Sequence, residues 1–212
     1  MAVKICGLST QDTVEAAIAA TASHIGLVHF APSPRHLALA DAAALRATVA
    51  DRAKVVLLTV DLGENAMAEA VDVMRPDIVQ LQGSETPEQA AALKTWHGVE
   101  VWKALGIADR SALVEARRYS GAVDMLLYDA PPPSPASTLP GGNGEVFDWS
   151  LLAGFDHCVP WGLAGGLTPD NVAHAIAQTG APLVDVSSGV ENAPGVKDVD
   201  LIAAFCEAAQ RT

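Results

Sequence analysis

Short apolar segments alternate with longer alanine-rich segments along the whole 212-residue chain. The apolar segments are nearly continuous runs of Val, Ile and Leu, which is typical of parallel strands that are covered on their outer face. The alanine-rich segments carry apolar residues at helical spacing. We therefore predict eight strands, each followed by a helix. The predicted strands cover residues 3–7, 25–30, 54–60, 78–82, 100–104, 125–129, 158–164 and 183–186, and the predicted helices cover residues 12–22, 40–50, 64–74, 87–96, 109–119, 148–152, 169–178 and 198–209.

Strict alternation of eight strands and eight helices predicts the α/β class and a single (β/α)8 TIM barrel, with residues 1–212 forming one domain. An open doubly wound sheet is the alternative fold. It usually has five or six strands and a glycine fingerprint after the first strand, whereas here the first strand leads only into Gly7-Leu8-Ser9. The connection after the sixth strand, residues 130–144, is long and rich in Pro, Ser and Gly. We interpret it as either a functional loop or a disordered one.

Two turns of small residues follow the last two predicted strands. Their sequences are WGLAGGLTP at 161–169 and VDVSSGVE at 184–191, and each precedes a segment of helical pattern. Backbone N–H groups at the start of a helix point at one spot, and small side chains let an anion approach them closely. Because phosphate commonly binds after the seventh and eighth strands of this barrel, the turns predict a site for a small phosphorylated metabolite.

Composition narrows the class of partner. Half the residues are hydrophobic and 18% are charged, which favours a compact globule, and the net charge of −12 disfavours nucleic acid or an anionic membrane as a partner. The three cysteines, Cys6, Cys158 and Cys206, form no C-x-x-C pair, and the chain shows no signal-peptide pattern and no apolar run of about 20 residues. We expect a cytoplasmic protein that binds a small molecule, and a monomer rather than a dimer.

The strand ends nominate residues for chemistry, since in a barrel they meet at one mouth. Cys6 ends the first strand, where a helix N-terminus or a cation would lower the pKa of its thiol and make it a base or nucleophile; a small buried hydrophobe is the alternative. We assign Cys158 and Cys206 to the core. Asp129 ends an apolar strand, where desolvation would raise its pKa and suit it to donate a proton; a turn cap is the alternative.

Three further observations concern binding. Arg35 lies in a loop with few charges and is suited to a carboxylate ligand, with a solvated cation as the alternative. Asp185 follows the eighth strand and is placed to line the mouth, whereas Asp61 is expected to cap a turn. The six histidines show no metal-ligand spacing, so we predict no metal.

Several segments together carry a resemblance to a known family. The chain resembles the phosphoribosylanthranilate isomerases, (β/α)8 enzymes of tryptophan biosynthesis, almost from end to end. The K-I-C-G start together with the D-V-S-S-G-V-E end is the specific part of the likeness. The segments are VKICGL at 3–8, SPR at 33–35, VQLQGSE at 79–85, LYD at 127–129, GGNGEVFDW at 141–149, LAGGLTPDNV at 163–172 and VDVSSGVE at 184–191.

The resemblance implies an Amadori rearrangement of N-(5-phosphoribosyl)anthranilate to 1-(2-carboxyphenylamino)-1-deoxyribulose 5-phosphate, without a cofactor. It implies that Cys6 is the general base, that Asp129 is the general acid and that Arg35 holds the anthranilate carboxylate. The family usually has histidine where this chain has Gln82, and glutamine can form hydrogen bonds but cannot carry a charge. The resemblance implies that the turns around Gly144, Gly165, Gly166, Ser187, Ser188 and Gly189 hold the phosphate. We also expect Gln82 and Asp185 to bind substrate, since Gln82 can form hydrogen bonds and Asp185 is placed to line the mouth.

Two alternative functions remain open at this point. The first is the related aminoaldose isomerase of histidine biosynthesis, which places an aspartate on the first strand and has phosphate sites in both half-barrels. This chain has Cys6 on that strand and no comparable glycine turn after the third strand. The second is a phosphate-binding barrel without catalytic activity, because the same fold hosts many functions.

Overall fold

The protein is an eight-stranded parallel barrel surrounded by helices. The computed structural model describes residues 1–132, 141–142 and 144–211. Neighbouring strands pair in sequence order, and β1 pairs with β8 to close the barrel, which confirms the predicted (β/α)8 fold. The strands are β1 (Ala2–Cys6), β2 (His24–Val28), β3 (Lys54–Thr59), β4 (Ile78–Leu81), β5 (Glu100–Gly106), β6 (Met125–Asp129), β7 (Trp161–Leu163) and β8 (Leu183–Val186).

Seven α-helices surround this barrel in the described part of the chain. Two of them begin where capping chemistry favours a start: the Thr10 side chain accepts from the Thr13 N–H, and Thr86 forms a capping box with Gln89 directly before Pro87. The helices are α1 (Gln11–Ala19), α2 (Leu39–Val49), α3 (Glu64–Met74), α4 (Pro87–His97), α5 (Arg110–Ala116), α6 (Val172–Thr179) and α7 (Val199–Gln210).

The structure corrects the prediction in the last three units. Residues 148–152, predicted as the sixth helix, contain only a 3-10 turn, Trp149–Leu152. Helix α6 begins at Val172, three residues after the predicted start. Asn171 explains the later start, because its side-chain oxygen accepts from the Thr168 N–H at 2.8 Å and holds a turn there.

The chain after β8 does not pass directly into a helix. A 3-10 turn, Ser188–Val190, leads into an antiparallel hairpin made of β9 (Glu191–Ala193) and β10 (Val196–Lys197), and α7 follows. These strands are only three and two residues long, too short to show a period in the sequence. Of the long connection after β6, residues 133–140 and 143 lie outside the described residues, and so does residue 212 of the predicted domain.

Two cysteine assignments have different outcomes. Cys206 is buried in α7, as predicted, but Cys158 is exposed and the assignment of that residue to the core is wrong. The reason is that β7 starts at Trp161, so Cys158 lies on the connection before the strand rather than in it.

Side chains alternate between the two faces of each strand, and this alternation builds the interior. Residues such as Ile5 on β1 and Val184 on β8 join the core between the barrel and the helices. The positions beside them, Lys4 and Asp185, turn to the barrel interior and form an ion pair there. A mainly apolar layer closes the interior; its buried members are Val56, Ile78, Trp102, Ala104, Leu127 and Leu183.

Candidate active site

A cavity of about 800 Å³, including its open mouth, lies at the carboxyl ends of the strands. The structure brings together in its lining ten of the eleven site residues that the sequence nominated; only Gly189 is not among them. The ten are Cys6, Arg35, Gln82, Asp129, Gly144, Gly165, Gly166, Asp185, Ser187 and Ser188.

Asp129 ends β6 and is held by two donors. Its Oδ2 accepts from Gln82 Nε2 at 3.1 Å, and its Oδ1 accepts from the Ala130 N–H at 2.8 Å. Burial, together with the nearby negative charge of Asp185, raises the pKa of Asp129 from 3.8 to about 6. The carboxyl group is therefore suited to donate a proton near neutral pH.

Cys6 ends β1 beside a buried cation. Burial raises the pKa of the Cys6 thiol above its ordinary value, and the adjacent Lys4 ammonium offsets only part of that effect. The expectation of a lowered pKa is therefore wrong in this structure, because desolvation of the thiolate outweighs the attraction of the cation. Lys4 itself is fully buried, and its Nζ donates to both carboxylate oxygens of Asp185 at 3.0 Å.

Arg35 is fixed in place rather than solvated. It is 6% exposed, and its Nε and Nη2 donate to the two oxygens of Glu191, each at 2.8 Å. Its Nη2 also donates to the Gly142 carbonyl at 3.3 Å. Glu191 in turn accepts from Lys197 Nζ at 2.6 Å. Burial opposes ionisation of Glu191, but the two cations together hold the pKa of its carboxyl below the ordinary value.

The two turns of small residues pack against each other at the mouth. Lys197 Nζ donates to the Ser187 carbonyl at 2.9 Å, and this bond holds the second turn in place. A Cβ on Gly189 would lie 1.8 Å from the Leu167 carbonyl oxygen of the first turn. Gly189 is therefore required for the close approach of the two turns. Gly165 has φ +85°, and a Cβ there would lie 2.5 Å from the Ala130 nitrogen.

The prediction for Asp61 agrees with its contacts. Asp61 follows β3, and its Oδ1 accepts from the Ser84 N–H at 2.7 Å and from the Ser84 hydroxyl at 2.9 Å. The carboxylate therefore caps the turn that follows β4.

Two features are absent from the described part of the chain. Across residues 1–132, 141–142 and 144–211, no group of three or more His, Cys, Asp or Glu side chains is placed to hold a metal ion. None of the described helices is both long enough and apolar enough to cross a bilayer.

Comparison with known proteins gives the family. A model of the N-(5'phosphoribosyl)anthranilate (PRA) isomerase family matches residues 3–208. A protein of Erythrobacter litoralis (strain HTCC2594) named N-(5'-phosphoribosyl)anthranilate isomerase is 59% identical over 208 residues, which cover 98% of each chain. This chain belongs to the PRA isomerase family.

Solved structures of PRA isomerases share the whole fold. The crystal structure of the enzyme from Thermotoga maritima has a TM-score of 0.90 at 28% identity, with 100% of both chains covered. A second PRA isomerase structure, in complex with reduced 1-(o-carboxyphenylamino)-1-deoxyribulose 5-phosphate, has a TM-score of 0.87 at 27% identity, again with 100% of both chains covered.

The sequence alone did not nominate the charged residues that support the site. Lys4 could have been found, because a lysine in an apolar strand, two positions before Cys6, shares a face with it. Glu191 and Lys197 gave no such signal, since they lie on a hairpin that no pattern predicts. Gln80 lines the cavity two positions before Gln82 and could have been found by the same spacing.

Proposed function

We propose that this chain catalyses the Amadori rearrangement of N-(5'-phosphoribosyl)anthranilate to 1-(2-carboxyphenylamino)-1-deoxyribulose 5-phosphate. One observation carries the proposal: a carboxyl group with a pKa near 6 and a thiol beside a lysine line the same cavity as an arginine and two turns of small residues. Membership of the PRA isomerase family supports it.

Asp129 is the proposed general acid. It donates its proton to the ring oxygen of the ribofuranose, the C1–O bond breaks, and the anilino nitrogen supplies the electron pair that makes the C1=N iminium. A neutral carboxylic acid is needed for this step, and burial keeps part of the Asp129 population protonated near neutral pH.

Cys6 is the proposed general base. The iminium makes the C2 proton acidic, and the Cys6 thiolate removes it, leaving an enaminol. Transfer of a proton from the C2 hydroxyl to C1 then gives the ketone. Lys4, in contact with the thiol, stabilises the thiolate that this step uses. The rearrangement consists of cleavage of the C1–O bond and proton transfers, and the Cys6 thiol returns its proton to the Asp129 carboxylate through solvent before the next turnover. No electron acceptor or donor is needed, so we propose that no cofactor takes part.

Binding is divided between the two ends of the substrate. Arg35, held rigid by Glu191, pairs with the anthranilate carboxylate through the donors that Glu191 leaves free. The phosphate binds at the backbone of the turns around Gly144, at Gly165 and Gly166, and at Ser187, Ser188 and Gly189, where fixed N–H donors suit an anion despite the negative net charge. Gln82 and Asp185 contact the sugar, which lies between the carboxylate end and the phosphate end of the substrate.

Three broader properties belong to the same proposal. The chain acts as one domain, as a monomer and in the cytoplasm. The support for a single unit is that the β1–β8 pairing closes one barrel from the first strand to the last. Native mass measurement in solution tests the oligomeric state, because a stable dimer would have twice the mass of the 21.9 kDa chain.

Fluorescence of N-(5'-phosphoribosyl)anthranilate provides the test of function. The substrate is generated in situ, and its fluorescence is followed with purified protein, with Asp129→Asn protein and without protein. We expect rapid loss of fluorescence with the wild-type chain alone. Turnover of the histidine-pathway aminoaldose in its place, or a rate equal to that of the protein-free sample, would contradict the proposal.

A further inference from the structure

One buried acceptor in the cavity lacks a partner. Gln80 on β4 is 1% exposed, and its Nε2 donates to Gln82 Oε1 at 2.7 Å. Its Oε1 has no hydrogen-bond partner among the described residues. Thr59 Oγ1 and Trp149 Nε1 are also buried without a partner there, but neither residue lines the cavity, whereas Gln80 does.

The direction of the hydrogen-bond chain is set by Asp129. A carboxylate can only accept, so Gln82 must present its amide nitrogen to Asp129. The oxygen of Gln82 therefore faces Gln80, which must in turn present its own nitrogen. The carbonyl of Gln80 is the end of this chain, and the ionised acid keeps it oriented as an acceptor.

An unpaired carbonyl that is withdrawn from water is unfavourable, and a ligand that donates to it removes that cost. A site of this kind also discriminates strongly against a ligand that lacks the donor, because the buried group is then left unpaired. The donors on the substrate near the proposed acid are the sugar hydroxyls and the anilino N–H. The ortho carboxylate of the anthranilate can accept from that N–H within the substrate itself, which leaves the hydroxyls as the donors for Gln80. The phosphate and the carboxylate offer only acceptors when ionised, and an acceptor facing the Gln80 carbonyl would be repelled.

We propose that Gln80 is a substrate-contacting, specificity-determining residue whose Oε1 accepts a hydrogen bond from a sugar hydroxyl. The assignment rests on the proposed function for the identity of the sugar. It explains why a polar side chain stands at a buried position of β4, whose neighbours Val79 and Leu81 belong to the apolar core.

The test measures the contribution of single hydroxyl groups to binding. Reduced 1-(o-carboxyphenylamino)-1-deoxyribulose 5-phosphate and three analogues, each lacking the hydroxyl at C2, C3 or C4, are titrated by calorimetry into the wild type, Gln80→Met and Gln82→Met. In the wild type we expect one analogue to bind about tenfold more weakly than the parent ligand. In Gln80→Met this ratio falls to about one.

Gln82→Met is the matched control, because it breaks the same Gln80–Gln82 bond but leaves the Gln80 carbonyl. We expect the tenfold ratio to persist in it, whatever happens to the absolute affinity, because a sugar hydroxyl that donates still favours the orientation of the Gln80 amide that turns its oxygen to the ligand. The proposal is overturned if Gln80→Met keeps the wild-type ratio, if Gln82→Met loses it equally, or if no analogue binds the wild type more weakly than the parent does. Should Gln80→Met fail to fold, Gln80→Leu takes its place.

Turnover separates this proposal from the proposed function. If the wild type rearranges N-(5'-phosphoribosyl)anthranilate but the ratio is unaffected by Gln80→Met, only the assignment of Gln80 fails. If the ratio behaves as expected but the wild type shows no turnover, only the reaction is wrong. A role confined to orienting Asp129 would instead shift the pH profiles of Gln80→Met and Gln82→Met alike and leave the hydroxyl ratio unchanged.

Discussion

Replacing Asp129 with asparagine changes the shape of the pH–rate profile as well as its height. The carboxyl group must be protonated to act as acid, and its pKa is about 6. The Cys6 thiol must be ionised to act as base, and its pKa lies above the ordinary 9.0. Each group is therefore mostly in its unreactive form at neutral pH. The reactive combination of both is a small part of the population.

The size of this population depends on the order of the two pKa values. Asp129 loses its proton near pH 6, whereas burial delays ionisation of the Cys6 thiol beyond its ordinary range, so only a small fraction of the molecules has both groups ready at any pH. Between these pKa values, each unit of pH lowers the protonated fraction of Asp129 tenfold and raises the thiolate fraction of Cys6 tenfold. The two changes cancel, and we expect kcat/KM of the wild type to be level from about pH 6 up to the pH at which the Cys6 thiol ionises, and to fall tenfold per unit below pH 6.

Asp129→Asn removes the titration of the Asp129 carboxyl and leaves only that of the Cys6 thiol. We expect kcat/KM at pH 7 to drop about 10²–10⁴-fold, the usual contribution of a positioned acid. We also expect the remaining rate to rise tenfold per pH unit above pH 6 for as long as the Cys6 thiol remains mostly protonated, because the rate then follows the thiolate of Cys6 alone. The assay is loss of substrate fluorescence at low substrate concentration, corrected for decay without enzyme.

Two controls accompany this experiment. The exposed Asp51 is changed to asparagine and should leave the profile unaltered. The substrate phosphate also titrates near pH 6, so affinity for the reduced product is measured across the same range in both proteins. A level profile in Asp129→Asn, or a wild-type profile without a break near pH 6, would refute the assignment of the acid.

The same pKa shift predicts an effect on stability. An unfolded aspartate ionises near 3.8 and the folded Asp129 near 6, so ionisation opposes folding increasingly as the pH rises from about 4 to about 6. At pH 7 this cost is about 3 kcal/mol. Asp129→Asn lacks the cost, and its free energy of unfolding in urea should improve relative to wild type by up to that amount between pH 4 and pH 7. If the difference in unfolding free energy between Asp129→Asn and wild type were the same at pH 4 and at pH 7, burial would not shift the pKa of this carboxyl.

Three further substitutions test other parts of the site. Cys6→Ser should lower kcat at least about 100-fold with little change in KM, because a hydroxyl is a far weaker acid than a thiol. Steady-state kinetics measures both constants, and an unchanged kcat would show that Cys6 is not the base. Arg35→Ala should raise KM about 100-fold, because the anthranilate carboxylate loses its partner and Glu191 keeps one cation fewer. If the variant and the wild type bind the reduced product with equal affinity, Arg35 does not hold the substrate carboxylate. Gly189→Ala should lower the unfolding free energy by about 3 kcal/mol, because its Cβ meets backbone. Gly63→Ala has open space around its Cβ and loses only the preference for Gly before the first residue of α3, so it should lower the unfolding free energy by no more than about 1 kcal/mol. Similar melting temperatures for the two variants would contradict the packing argument.

The sequence by itself determined the fold, and it determined which strand ends and turns meet at the cavity. Eight apolar runs alternating with helical segments are local patterns, and each is readable within about ten residues. Cys6 and Asp129 were nominated because both end apolar strands, and carboxyl ends of barrel strands meet at one mouth; both residues line the cavity. The small-residue turns were nominated because backbone N–H groups at the start of a helix can meet an anion where the side chains are small.

Only the tertiary structure decided how these groups are tuned. Lys4 meets Asp185 across 181 positions of the chain, and Arg35 meets Glu191 across 156, so neither pair leaves a local trace. The sign of the Cys6 pKa shift depends on a balance between burial and the Lys4 charge, both of which exist only after β1 and β8 close the barrel. Residues far apart in sequence acquire their electrostatic environment from the packing that joins them, and no pattern along the chain records that environment.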